Sequence, residues 1–155
     1  MSNINSDLID AARRGKLDRV ELFTNYGANI NAVDDFGGTA LMWSVRNSHG
    51  DVAKLLVDRG ADVDAKDSTG RTALMWAAQM GCAEIAMMLL KNGADPYAKN
   101  NNGESAYDIA MQQDYRNIAQ LLPQDRTEAM LKQGGEALER LRKAVRRDGA
   151  QRVVI

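Results

Sequence analysis

The feature that most constrains this chain is a period. The segment GGTALMWSV at 37–45 returns as GRTALMWAA at 70–78 and, in weaker form, as GESAYDIAM at 103–111. Gly37, Gly70 and Gly103 are therefore 33 residues apart, and the pairs Gly27-Ala28, Gly60-Ala61 and Gly93-Ala94 keep the same interval in a second register. A period in this range marks a stack of supersecondary units, because one such unit cannot bury its apolar face alone.

Each period reads as two short helices and a turn. Thr39 and Thr72 precede Ala/Leu/Met-rich runs, where a side-chain hydroxyl can cap the first free amides of a helix. After a break at Ser48-His49-Gly50 or Gly81-Cys82, the apolar residues Val52, Leu55 and Leu56, or Ile85, Met88 and Leu89, recur at helical spacing. Gly60 and Gly93 stand where a helix ends on a left-handed residue. A turn rich in Asp, Asn and Gly leads into the next unit. We expect repeats at about 4–36, 37–69, 70–102 and 103–122, forming one domain over 1–122, with a separate extension over 123–155.

The pattern Gly-x-Thr-Ala-Leu-Met-x-Ala-Ala, then Leu-Leu, then Gly-Ala-Asp, spaced at 33, resembles the ankyrin repeat over about residues 4–122. The fold expected is an all-α solenoid of helix-turn-helix units with β-turn or hairpin tips. Two departures are visible: Ala40 and Ala73 replace the family's Pro, and Met42 and Met75 replace its His. Met suits an irregular gap, so we expect both to fill the core. The first repeat lacks the Gly and Thr opening and reads as an N-terminal cap, while the fourth, with Tyr107 and Asp108 in place of Leu and Met, reads as a closing unit. His49 resembles the family's turn histidine and is expected to make a structural hydrogen bond.

The resemblance implies a binding module whose tips and first helices form a concave surface for a protein partner. Carried over by position, the tips comprise Asp35, Phe36, Gly38, Ser68, Thr69, Arg71, Asn101, Asn102 and Glu104, and the first-helix surface comprises Arg13, Arg14, Trp43, Arg46, Asn47, Trp76, Gln79, Met80, Gln112 and Gln113. From these, Phe36, Trp43, Arg46, Asn47, Thr69, Arg71, Trp76, Gln79, Met80, Asn102 and Gln113 are the candidate protein-binding set. Helical spacing supports it: if Leu41, Ser44 and Val45 face the core, then Ala40, Trp43 and Asn47 form the adjacent stripe, as do Ala73, Trp76 and Met80. Trp, Met and Arg are enriched at interface hot spots. The alternative is that each Trp packs across the groove between repeats, its indole nitrogen on a backbone carbonyl.

Composition narrows the function classes. Twenty basic residues against 21 acidic ones argue against wholesale nucleic-acid or membrane binding. One Cys and one His cannot supply a Cys/His zinc site, and no cofactor is expected. Cys82 reads as a packed residue in a reducing compartment. Walker, GxSxG and HExxH patterns are missing, and the Asp residues at 34, 35, 62, 64, 67 and 95 recur as turn formers, so the expected protein is not an enzyme. The opening MSNINSDLIDAARR has no apolar targeting core, and a cytoplasmic location is expected.

Residues 123–155 carry eight Lys/Arg and five Asp/Glu, against 12 and 16 in 1–122. After a hinge expected at Gly134-Gly135, EALERLRKAVRR forms an amphipathic helix whose apolar stripe includes Leu138, Leu141 and Val145. Three roles stay open: covering the end of the stack, docking on a partner or on a second copy in a homodimer, or offering a basic patch to acidic lipid or nucleic acid. The last defines the alternative function, a nucleic-acid- or membrane-associated regulator. Monomer and homodimer both remain open.

Overall fold

In the computed structural model the chain divides into two compact units, 1–122 and 123–155. The structure describes residues 3–124 together with Gly134 and Gly135. The apolar stripe of Leu138, Leu141 and Val145, and with it the amphipathic helix and the homodimer it would support, lies outside the described residues. Gly134 and Gly135 have helical backbone, where the sequence predicts a hinge. Glycine in a helix costs only about 1 kcal/mol relative to alanine, so a Gly pair does not by itself break one.

Eight helices occupy the described part of the first unit: α1 (Ile4–Arg13), α2 (Leu17–Asn25), α3 (Ala40–Arg46), α4 (Gly50–Asp58), α5 (Ala73–Met80), α6 (Ala83–Lys91), α7 (Ala106–Gln112) and α8 (Arg116–Ala119). Each odd-numbered helix packs on its own even-numbered partner and on the odd helix of the next repeat, and the even helices touch their counterparts in turn. Two layers result, with the core between them. Leu8, Leu41, Leu74 and Ile109, one from each odd helix, are fully buried beside Val20, Val52, Leu56, Leu89 and Ile118 from the even row. Truncating a side chain such as Leu74 to Ala would cost about 2–5 kcal/mol.

The helix starts follow from the residues that precede them. Thr39 Oγ1 accepts from Met42 N at 3.2 Å and Thr72 Oγ1 from Met75 N at 3.3 Å. In the fourth repeat Ser105 does the same for Asp108, and Asp108 Oδ2 accepts in return from Ser105 N, closing a capping box. The first repeat replaces this opening with Asn3, which caps a longer helix through Asn5 N. Met42 and Met75 are buried, and His49 Nε2 lies 3.1 Å from the Arg13 carbonyl, tying the second repeat to the first.

A left-handed residue divides the two helices of every repeat. Gly15, Ser48, Gly81 and Asp114 stand 33 apart with φ of 67, 60, 74 and 58°. Two of the four are not glycine, so the turn is held against the side-chain clash that such a backbone brings.

Neighbouring repeats are also joined through their tips. Where the first repeat runs into the second the tip is a tight hairpin, with a bridge between Val33 and Thr39. Ser68 N donates to the Phe36 carbonyl at 2.9 Å and Asn101 N to the Thr69 carbonyl at 3.0 Å, so successive tips form a ladder. Below them Asn31 Oδ1 accepts from Asp62 N and Asp64 Oδ1 from Asp95 N, which gives the recurring turn acids a structural use.

Candidate functional site

Three successive tips, at 36–38, 67–71 and 100–102, and the helices α3 and α5 line a recess of about 550 Å³. Its tip side is built by an Asx residue that recurs at 34, 67 and 100, three positions before the tip glycine. Asp34 Oδ1 accepts from Phe36 N and Gly38 N, Asp67 Oδ1 from Thr69 N and Arg71 N, and Asn100 Oδ1 from Asn102 N and Glu104 N. Each side chain thereby folds its own tip.

The second oxygen of the two acids points to the helix. Trp43 Nε1 donates to Asp34 Oδ2 at 2.7 Å and Trp76 Nε1 to Asp67 Oδ2 at 3.1 Å. Sequence reasoning offered a backbone carbonyl as the indole's partner, and the carboxylate takes that place because the tip hairpin brings position 34 back over position 43. Gly38 leaves room for this contact: a Cβ there would lie 2.6 Å from Trp43 Nε1. The equivalent of Gly38 in the next repeat is Arg71, which does carry a Cβ, and there the indole bond is longer.

Guanidinium groups flank both rings. Arg13 lies 4.1 Å and Arg46 5.0 Å from the Trp43 ring centroid; Arg46 lies 4.7 Å and Arg71 4.8 Å from that of Trp76. The two Trp side chains are thus linked through Arg46, which lies over both. Such contacts contribute about 0.5–1 kcal/mol each where exposed. Arg13 also reaches Asp34 Oδ2 at 3.4 Å.

Seven of the eleven candidate residues line the recess: Phe36, Trp43, Arg46, Thr69, Arg71, Trp76 and Asn102. The other four lie off it. Asn47 Nδ2 donates to the Trp43 carbonyl at 2.9 Å and closes the end of α3. Gln79 Oε1 accepts from Arg71 at 3.3 Å. Met80 and Gln113 are exposed at the ends of α5 and α7. Ala40 and Ala73, placed on the same stripe as the Trp residues, are buried. Close packing of consecutive odd helices draws the first residue of each into the core. Arg14, also assigned to this surface, pairs instead with Asp10.

Asp34 and Asp67, expected as plain turn formers, and Asn100, which the sequence analysis does not single out, are the residues that build this side of the site. Their 33-residue spacing just ahead of the tip glycines is the signal that marks them. In the fourth repeat Glu104 and Gln112 pair at 2.7 Å, in the register of Arg71 and Gln79. The hydrogen bond from Asn100 and then that from Gln112 hold the Glu104 carboxyl below its ordinary range, with Arg71 adding to the effect and desolvation opposing it.

Among the described residues no group of three His, Cys, Asp or Glu is placed to hold a metal ion. No helix there is long and apolar enough to cross a membrane. The family model for ankyrin repeats (3 copies) matches residues 8–100 and 69–133. The chain belongs to the ankyrin-repeat family. Ankyrin repeats generally mediate protein–protein interaction, and the recess lies where the tips and first helices of this ankyrin stack meet. A comparison with curated proteins finds no match.

Proposed function

We propose that this ankyrin-repeat chain is a non-catalytic, cytoplasmic binding module that holds a protein partner on the surface around Trp43 and Trp76. It acts by occupying or positioning that partner, as an adaptor, inhibitor or regulatory subunit does. The observation that supports this reading is the alternation of Trp43, Arg46, Trp76 and Arg71 along one recess, with Arg13 over the Trp43 ring beyond it. Trp and Arg dominate interface hot spots because they combine large contact area with directional donors. Phe36, 69% exposed at the rim, adds an apolar side chain that the stack itself does not bury.

Partner capture from lysate with the intact chain and with a Phe36→Ala/Arg46→Ala variant tests the reading. Both side chains are exposed, so the variant keeps its fold, whereas removing the Trp residues would also unfasten the tips. A partner held by the intact chain and lost from the variant is the expected outcome. Equal retention by both overturns the assignment of the surface. Retention that also collapses at about 0.5 M salt would move the activity to phosphate contacts and the basic segment at 140–147.

A further inference from the structure

The recess holds a positive charge that the protein leaves unanswered. Arg13 faces Asp34 and Arg71 donates to Gln79, but Arg46 has no hydrogen-bond or ion-pair partner among the described residues. Among those residues it is the two indole rings that hold it. Contact with a ring engages the face of a guanidinium and leaves its in-plane N–H donors available, in the fork geometry that matches a carboxylate. The acid that lines the recess, Asp67, is engaged elsewhere, Oδ1 by Thr69 and Arg71 N and Oδ2 by Trp76, and makes no hydrogen bond or ion pair with Arg46.

We infer, on the basis of the binding-module reading above, that the recess takes an extended acidic segment of a protein partner. One Asp or Glu carboxylate of that segment accepts two hydrogen bonds from Arg46, and a neighbouring apolar side chain rests on Phe36. Charge complementarity selects this occupant. The chain's own 123–155 segment has eight basic residues against five acidic ones, the wrong sign for a recess bearing two guanidinium groups. Stacked bases of a single-stranded nucleic acid are a poorer match, because each indole already has two guanidinium groups over it. A volume of about 550 Å³ accommodates a few side chains of a bound peptide.

The test is selection of short peptides from a random display library on the full-length chain. Selected peptides are then synthesised in matched forms with each acid or its amide and titrated by indole fluorescence. Both tryptophans of the chain line the recess, so their emission reports occupancy. We expect selected peptides to carry Asp or Glu beside an apolar residue, and the amide form to bind about tenfold more weakly. Arg46→Gln should remove that preference and Arg46→Lys should retain part of it, with unchanged far-ultraviolet circular dichroism in both. Selected peptides without acids, equal binding of acid and amide forms, or no selected peptide at all would overturn the inference. Neutral peptides that still alter indole emission would leave the binding surface standing without its acidic ligand. Peptides that bind Phe36→Ala equally and leave the emission unchanged would remove the surface itself. A dimer in solution that Arg46→Gln dissociates would make the occupant a second copy and likewise overturn the acidic-segment assignment.

Discussion

Trp43 and Asp34 are fastened to each other, the indole N–H donating to Oδ2 at 2.7 Å while Oδ1 of the same carboxylate closes the tip through Phe36 N and Gly38 N. One side chain therefore sets both the hairpin and the orientation of the ring that lines the recess. Asp34→Ala should leave four donors, Phe36 N, Gly38 N, the indole N–H and Arg13, without their partner and cost about 1–3 kcal/mol. Urea unfolding checks this: the midpoint should fall with an unchanged slope, and Trp emission should shift in the folded state. An unchanged midpoint would mean that water replaces the carboxylate without cost.

Gly38→Ala probes the same contact from the other side. The new Cβ would meet the indole nitrogen at 2.6 Å and oblige the ring to move. Trp76 shows the accommodation, since it keeps its bond to Asp67 at 3.1 Å beside Arg71. The expected loss is therefore about 1 kcal/mol, the low end for an added methyl group, with a change in near-ultraviolet circular dichroism. A loss as large as that of Asp34→Ala would show that the second repeat cannot relax as the third does.

The tip glycines should differ in their tolerance. Gly70 has φ of 76°, and a Cβ on it would stand 2.9 Å from Asn101 N, whereas Gly103 has φ of 77° with open space around it. Ala at 103 carries the left-handed backbone penalty of about 1–2 kcal/mol alone; Ala at 70 adds a clash with the backbone of the next tip. Thermal unfolding of the two variants should place Gly70→Ala clearly lower. Equal midpoints would show that the tip ladder is loose.

Ser48 offers a gain. It adopts φ of 60° at the position where the flanking repeats have Gly15 and Gly81. Ser48→Gly relieves the side-chain penalty and should raise stability by about 0.5–1 kcal/mol, reduced by the loss of the exposed 3.1 Å contact with Cys82 Sγ. A lower melting temperature would assign that contact more weight than its exposure suggests.

Acid sensitivity should reside partly in the fourth repeat. Burial favours the neutral form of Asp108, but the backbone and side-chain hydrogen bonds from Ser105, together with Lys99, outweigh it and leave the carboxyl below its ordinary value of 3.8. A carboxyl depressed on folding contributes stability above its unfolded pKa and loses it as pH falls through the folded one. Asp108→Asn should therefore flatten the decline of stability in the acid limb below about pH 4. It should also cost about 1 kcal/mol at neutral pH through the weakened capping box. A variant whose acid limb matches the parent would place the titration elsewhere.

The sequence by itself determined the repeat, its two helices, the Thr caps and the left-handed glycines. Each is a local requirement: a cap needs a side-chain oxygen beside free amides, a helix end tolerates glycine, and an apolar stripe must recur at helical spacing. The resemblance to ankyrin repeats implied that Arg71 lies on a tip and Trp43, Arg46 and Trp76 on the first-helix surface, and helical spacing supported the two Trp positions. Tertiary structure decided which of the candidates converge. The hairpin returns Asp34 and Asp67 over rings nine residues ahead, and stacking buries Ala40 and Ala73 while setting Arg46 over two indoles that belong to different repeats. Those relationships depend on the angle between helix and tip and on the distance between neighbouring repeats, quantities that are properties of packing and have no trace in a one-dimensional pattern.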